Sequence, residues 1–207
     1  MNHPDMMAYC YIASVVFYIL WGTSFLERNA QNRPGKKTKP EYIADSLVLA
    51  EKHEEAIEIY QKLLQEEFRT DDDYINRLHY KIGNSLMLSG KDKQAQPWFQ
   101  KVLKAVSEKR LKSDAMAGLG RTFEYTGNRD SAFYWYLKSY QLAEETADTL
   151  RRARGARNMA QLLRVLRRFD EAGNYCQEAV TLIPGISDYK IVANIYNETA
   201  YLFELSG

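Results

Sequence analysis

The chain has 207 residues, with 28 basic and 27 acidic side chains, 13% aromatic residues and two cysteines. A formal charge of +1 argues against a strongly basic nucleic-acid binder, and two distant thiols, Cys10 and Cys176, give no disulfide framework and suit a reducing compartment. The neutral total hides an asymmetry. Residues 51–73 are acidic (Glu51, Glu54, Glu55, Glu58, Glu66, Glu67, Asp71, Asp72, Asp73), whereas residues 150–169 carry Arg151, Arg152, Arg154, Arg157, Arg164, Arg167 and Arg168 and no acid.

After a short tail, residues 1–5, residues 6–26 contain no charge and are rich in Tyr, Ile, Val, Phe, Leu and Trp. As a helix such a segment is about 31 Å long, enough to cross a bilayer core of about 30 Å, and Tyr9, Tyr11 and Trp21 suit its interfaces. Before it stand only His3 and Asp5. After it come Arg28, Arg33, Lys36, Lys37 and Lys39 in a stretch, residues 27–40, that reads with Pro34-Gly35 as a flexible basic tether. By the positive-inside rule this is a single-span anchor with the rest of the chain in the cytosol, at a bacterial inner membrane or a mitochondrial outer membrane. The alternative is a signal peptide cleaved near Gly22-Thr23-Ser24, which would make the protein periplasmic or secreted; the missing basic residue before the apolar run disfavours it, and disfavours a mitochondrial presequence too. A buried core helix is disfavoured because the segment has no polar face.

Residues 41–207 repeat themselves. A small residue is followed three places on by a large apolar one, then by a turn, an alanine, and a bulky residue four places later. The series reads Ala44–Leu47–Glu51–Ala56–Tyr60, Gly83–Leu86–Gly90–Ala95–Phe99, Gly120–Phe123–Gly127–Ala132–Tyr136 and Ala160–Leu163–Arg167–Ala172–Cys176, and starts again as Ala200–Phe203–Gly207. No strand alternation of useful length occurs. The expectation is an all-α solenoid of helix pairs, each burying its apolar face against its neighbours.

Ala160, Leu163, Phe169-Asp170-Glu171-Ala172, Ala179 and Pro184 make this region resemble the tetratricopeptide repeat family from about Pro40 onward. The resemblance implies a right-handed helical-hairpin solenoid of about four repeats plus a terminal helix. Two features depart from the family. The anchors Ala44, Gly83, Gly120, Ala160 and Ala200 are spaced 39, 37, 40 and 40 residues apart, wider than the usual ~34. The family's tryptophan position is held by His79, Met116, Ala156 and Tyr196.

Local signals fit helix pairs. Gly90 can end a helix in the left-handed conformation, and Ser113-Asp114, Ser187-Asp188 and Thr70 with Asp71 to Asp73 offer caps for first helices. Pro97 is expected near the first turn of a second helix, where a missing donor matters little. Glu54-Glu55 and Asp170-Glu171 suit the positive ends of second helices. At the far end, residues 196–207 read as one more first helix with no second helix after it. Ile191, Val192, Ile195, Tyr196, Tyr201, Leu202, Phe203 and Leu205 leave it little polar surface. It is expected to dock in a groove or on a partner, a longer array being the alternative.

Function is expected in binding rather than catalysis. His3, His53 and His79 form no metal-ligand pattern, Gly118-Leu119-Gly120 lacks the strand and third glycine of a dinucleotide loop, and no nucleophile, base and oxyanion site assemble. No catalytic residue, cofactor, metal or small-molecule substrate is expected. The resemblance implies that first helices line a concave groove, here through Arg77, Tyr80, Asn84 and Met87, then Ala117, Arg121 and Glu124, then Arg154, Arg157, Gln161 and Arg164, then Asn197, Tyr201 and Glu204. Such a surface suits a protein or an acidic or phosphorylated peptide; alternatively several arginines merely solvate outer faces. The five-residue clamp by which some family members hold acidic chaperone tails is not expected, because only Asn84 and Arg154 fit it, while Tyr80, Gly118 and Asn158 do not. Nucleic acid is disfavoured by the total charge, although the arginine-rich fourth repeat could meet phosphates or anionic lipid heads. The whole plan, an anchor, a basic flank and then repeats, is similar in architecture to mitochondrial outer-membrane import receptors and, in reverse orientation, to bacterial inner-membrane assembly proteins. A membrane-anchored adaptor or scaffold is the reading that results.

Overall fold

The structure is a computed structural model that describes residues 40–66 and 72–206. The expected span, residues 6–26, and residues 27–39 of the expected tether lie outside the described residues, as do Thr70 and Asp71. Among the described residues no helix is long and apolar enough to cross a membrane.

The described chain runs through α1 (Pro40–Leu49), α2 (His53–Glu66), α3 (Asp72–Leu88), α4 (Asp92–Ala105), α5 (Lys109–Tyr125), α6 (Arg129–Glu145), α7 (Thr149–Val165), α8 (Phe169–Leu182), a 3-10 turn (Ile183–Gly185) and α9 (Tyr189–Ser206). Pro40, assigned by sequence to the tether, opens α1, where a proline lacks nothing because the first amides have no helical partner. Each helix packs on the next, and α3, α5, α7 and α9 also touch one another in series. The result is a solenoid of pairs α1/α2, α3/α4, α5/α6 and α7/α8, with α9 in the place of a fifth first helix.

Two local devices generate this stacking. The first is the turn inside each pair. Glu51, Gly90, Gly127 and Arg167, the turn positions of the sequence repeat, all have positive φ, between 61° and 84°. In each, the following amide bonds back to the large apolar residue of the pattern: Lys52 to Leu47, Lys91 to Leu86, Asn128 to Phe123, Arg168 to Leu163. These are Schellman caps, which satisfy the last helical carbonyls while reversing the chain. Ala147 ends α6 in the same way at φ 51°, a turn the sequence pattern did not reveal.

The second device is an interlock. Ala44, Gly83, Gly120 and Ala160 are buried on the first helices, and Tyr60, Phe99, Tyr136 and Cys176 are at most 4% exposed on the second. A Cβ on Gly83 would stand 3.1 Å from Phe99 Cε1, and one on Gly118 would stand 2.5 Å from Phe99 Cζ; one on Gly120 would run into the Tyr136 ring. Phe99 thus sits between glycines of two successive repeats, so close packing accounts for Gly118-Leu119-Gly120. Burying each such aromatic contributes roughly 1.5–3 kcal/mol.

Some expectations are corrected. Ser113 and Asp114 are not caps, because α5 begins at Lys109 after Glu108, and Leu111 and Ala115 carry its apolar face back one more turn. Ser113 and Ser139 instead close the α5–α6 crossing by exchanging bonds, Ser139 Oγ donating to Ser113 O at 2.8 Å. Pro97 lies more than one turn inside α4. Asp188 does cap α9, accepting from the amides of Lys190 and Ile191. In α9, Ile191, Ile195 and Leu202 are buried, whereas Tyr189, Tyr196, Tyr201, Phe203 and Leu205 are exposed.

Turn and interlock make opposite demands for glycine. Replacing Glu51 or Arg167 with glycine is expected to raise stability by about 1 kcal/mol, because a side chain at positive φ is strained there. Gly120→Ala is expected to lower stability by about 1–3 kcal/mol through overpacking on Tyr136. Urea unfolding of the variants reads both; a stabilised Gly120→Ala would contradict the interlock.

Candidate functional site

Because the first helices lie side by side, residues one repeat apart face each other across neighbouring helices. Asp114 of α5 accepts Arg151 Nη2 of α7 at 2.6 Å on one oxygen and Arg154 Nη2 on the other. Further along the same two helices, Gln161 Nε2 donates to Glu124 Oε1 at 3.0 Å, while the Tyr136 hydroxyl of α6 donates to Glu124 Oε2 at 2.7 Å. On its other side α7 reaches α9, where Arg164 Nε donates to Glu198 Oε1 at 2.6 Å. At the start of the stack, Lys81 of α3 donates to Glu41 and Asp45 of α1, each at 2.7 Å. Asp114 and Glu198 are only 9% and 6% exposed, so each requires a cation beside it.

The arginine run is therefore mostly engaged. Arg151 and Arg154 pair with Asp114, Arg152 with Glu144 and Glu178, Arg164 with Glu198, and Arg168 with Glu171. Arg151 also donates to Asp148, the cap of α7. Burial alone would lower the Arg151 pKa, but Asp114 and then Asp148 hold it above the ordinary value. For Asp148 burial pushes upward, and the hydrogen bonds from Arg151 outweigh it. Among the described residues, Arg157 and Arg167 have no carboxylate within ion-pair distance. Arg167 is exposed at the left-handed turn. Arg157 donates from Nη1 to Gln161 Oε1 at 2.8 Å, and burial lowers its pKa below the usual arginine value.

The residues expected in the groove separate into two sets. Arg121, Arg154, Arg157, Gln161, Arg164 and Tyr201 come together around α5, α7 and α9, with Arg164 over the Tyr201 ring at 5.6 Å and Arg121 over the Tyr125 ring at 5.4 Å. Tyr80 joins their lower end: burial, and next the charge of Asp114, push its hydroxyl up to about 12. Arg77 instead lies exposed over the Tyr74 ring, and Asn197 is exposed on α9. Asn84 lines a separate cleft of about 230 Å³ with Asp45, Leu49, Tyr60 and Lys81. The sequence reading did not foresee Asp114, Glu198 or the pair Lys81–Asp45. Their signal was present as opposite charges 34 to 40 residues apart, one repeat length. Among the described residues no group of three His, Cys, Asp or Glu side chains could hold a metal ion.

With this geometry in hand, the likeness to solved structures defines the class. BtubC from P. vanneervenii aligns at 14% identity over 80% of this chain and 76% of that one, with a TM-score of 0.62. The MamA protein aligns at 16% identity over 80% and 79%, with a TM-score of 0.55. A putative kinesin light chain of Podosopora anserina with TPR-like repeats aligns at 12% identity over 81% and 85%, with a TM-score of 0.63. No protein-family description and no curated protein matches the sequence. In fold the chain is a tetratricopeptide-type helical solenoid.

Two outcomes follow from the charges. Asp114→Asn leaves Arg151 and Arg154 without their shared anion and is expected to cost on the order of 3 kcal/mol in urea unfolding. Glu171→Gln, which breaks only the exposed pair with Arg168, is expected to change nothing measurable. His79 supplies the pH dependence. It stacks near Trp98 with ring centroids 5.5 Å apart, and burial first, then Lys101, lower its pKa from 6.5. The unfolded chain thus binds this proton more readily, so stability falls as pH drops through about 6.5 into the window below it. The unfolding midpoint is expected to fall between about pH 7 and pH 5.5, and His79→Phe should flatten that slope.

Proposed function

We propose that the protein is a membrane-anchored scaffold that binds a protein segment, acidic in character, along the face shared by α3, α5, α7 and α9. The observation that carries this reading is the wall itself: successive first helices present one continuous row of polar and aromatic side chains, from Tyr80 through Arg121, Arg157 and Gln161 to Tyr201. Gln161 is held across helices by its bond to Glu124, Arg157 is aimed by Gln161 one turn along, and Tyr201 packs under Arg164, so an incoming segment meets donors that are already partly ordered. Solenoids of this kind offer extended surfaces rather than enclosed pockets, which suits an extended peptide better than a small molecule. Anchoring rests on the charge-free residues 6–26 and the basic flank after them, which favour a cytosolic location for the repeats.

Phosphate recognition is less well supported. The arginines of the fourth repeat that could meet nucleic acid or lipid heads are mostly engaged with Asp114, Glu144, Glu178, Glu198 and Glu171, and each would have to leave a carboxylate. Competition separates the classes: a glutamate-rich peptide should displace protein bound to the repeats, and a single-stranded RNA of equal charge should not. RNA displacing more strongly would overturn the peptide reading. Proximity labelling in native membranes, with the labelling enzyme fused after Gly207, tests the topology. Cytosolic proteins are expected among those labelled; periplasmic or lumenal ones would reverse the assignment.

A further inference from the structure

The first helices do not close on one another equally along the stack. Four places after each small anchor residue stand Val48, Met87, Glu124 and Arg164. Met87 is buried in the core, while Glu124 and Arg164 each bond to the next first helix, at Gln161 and Glu198. Val48 is the short member of this series. Beside it, between α1 and α3, lies the cleft of about 230 Å³ that Asp45, Tyr60, Lys81, Asn84 and Ser85 also line. Ser85 is 0% exposed, and its hydroxyl has no hydrogen-bond partner among the described residues. Thr122, which holds the same place one repeat later, donates to the Leu119 carbonyl at 3.0 Å. A buried hydroxyl without a partner is costly, so Ser85 marks the cleft as a place for a polar group.

The chemistry of that group follows from the lining. Asp45 and Lys81 are the charged side chains on it, and they are bound to each other at 2.7 Å. Lys81 also donates to Glu41, and Asp45 also accepts from the Tyr60 hydroxyl. An anion would meet two carboxylates against one ammonium, and a cation would sit beside Lys81, whose carboxylate partners are already engaged. Next to that network stand the Ser85 hydroxyl and the Asn84 carboxamide, each both donor and acceptor, with Val48 and the Tyr60 ring as apolar walls. We propose that the cleft binds a small uncharged carboxamide on a short aliphatic chain, its amide on Ser85 and Asn84 and its chain along Val48 and Tyr60. The chain uses the same group elsewhere, where the Gln161 carboxamide ties α7 to α5. The volume lies below the roughly 300–1,000 Å³ of drug-sized sites, so the ligand has only a few carbons. This site goes beyond the peptide-binding reading and stands or falls apart from it.

The test uses the full chain in detergent micelles and three probes of one length, butanamide, butanoate and butylamine, read by saturation-transfer NMR. Val48→Met, which gives the first repeat the side chain that the second carries at Met87, fills the cleft and corrects for probe taken up by the micelle. Butanamide is expected to give a signal with wild type that Val48→Met abolishes, and Ser85→Ala should weaken its binding roughly fivefold. Butanoate and butylamine should give no more signal with wild type than with Val48→Met. That variant should unfold at the same urea concentration as wild type or a higher one; if it unfolds earlier, Ser85→Ala decides, and unchanged binding there overturns the site. Equal butanamide signals from wild type and a folded Val48→Met would also overturn it. A charged probe that binds as well as the amide would overturn the assignment to uncharged ligands.

Discussion

Everything in this molecule depends on how closely a first helix approaches its second. Phe99 and Tyr136 fill the space that a methyl group on Gly83, Gly118 or Gly120 would occupy. That spacing sets the angle of each pair, the left-handed turns at Glu51, Gly90, Gly127 and Arg167 set its direction, and the two together bring α3, α5, α7 and α9 edge to edge. A looser interlock would separate those helices, and the bonds between Asp114 and Arg154 or Glu124 and Gln161 would be out of reach.

The bonds across the wall follow from the same spacing. In a solenoid, a residue meets its counterpart one repeat later, so a carboxylate on one first helix can hold a cation on the next. The chain uses this for Lys81 with Asp45, Arg154 with Asp114, and Arg164 with Glu198, and along the second helices for Tyr140 with Glu178 at 2.7 Å. Buried pairs of this kind stabilise weakly compared with apolar packing, because dehydrating both ions offsets most of their attraction. What they do supply is register, since a solenoid slipped by one turn would leave Asp114 or Glu198 buried without a cation.

Sequence periodicity made the fold readable because each repeat solves the same packing problem with the same residue types. The turn positions were legible even where glycine was absent: Glu51 and Arg167 occupy the place in the repeat that Gly90 and Gly127 mark, and share its left-handed backbone. Boundaries were harder. Ser113-Asp114 looks like a cap pair, and only the apolar residues Leu111 and Ala115 on either side reveal a helix running through it. The site was legible by type and not by pairing. Arginines crowd residues 150–169, but Asp114 and Glu198, the buried acids that hold Arg151, Arg154 and Arg164, lie one repeat before or after, where a scan for local charge sees nothing.

That neutralisation sharpens rather than weakens a role in binding. A face with seven free arginines would attract any polyanion, and long-range attraction confers little selectivity. Tying most of them to carboxylates lowers the indiscriminate field and leaves charge at a few defined points. It also fixes side chains that would otherwise have to be ordered on association, at about 0.5–1.5 kcal/mol each. On the proposed reading, a partner would be distinguished by where its acidic groups fall along an extended segment, with total charge the lesser criterion.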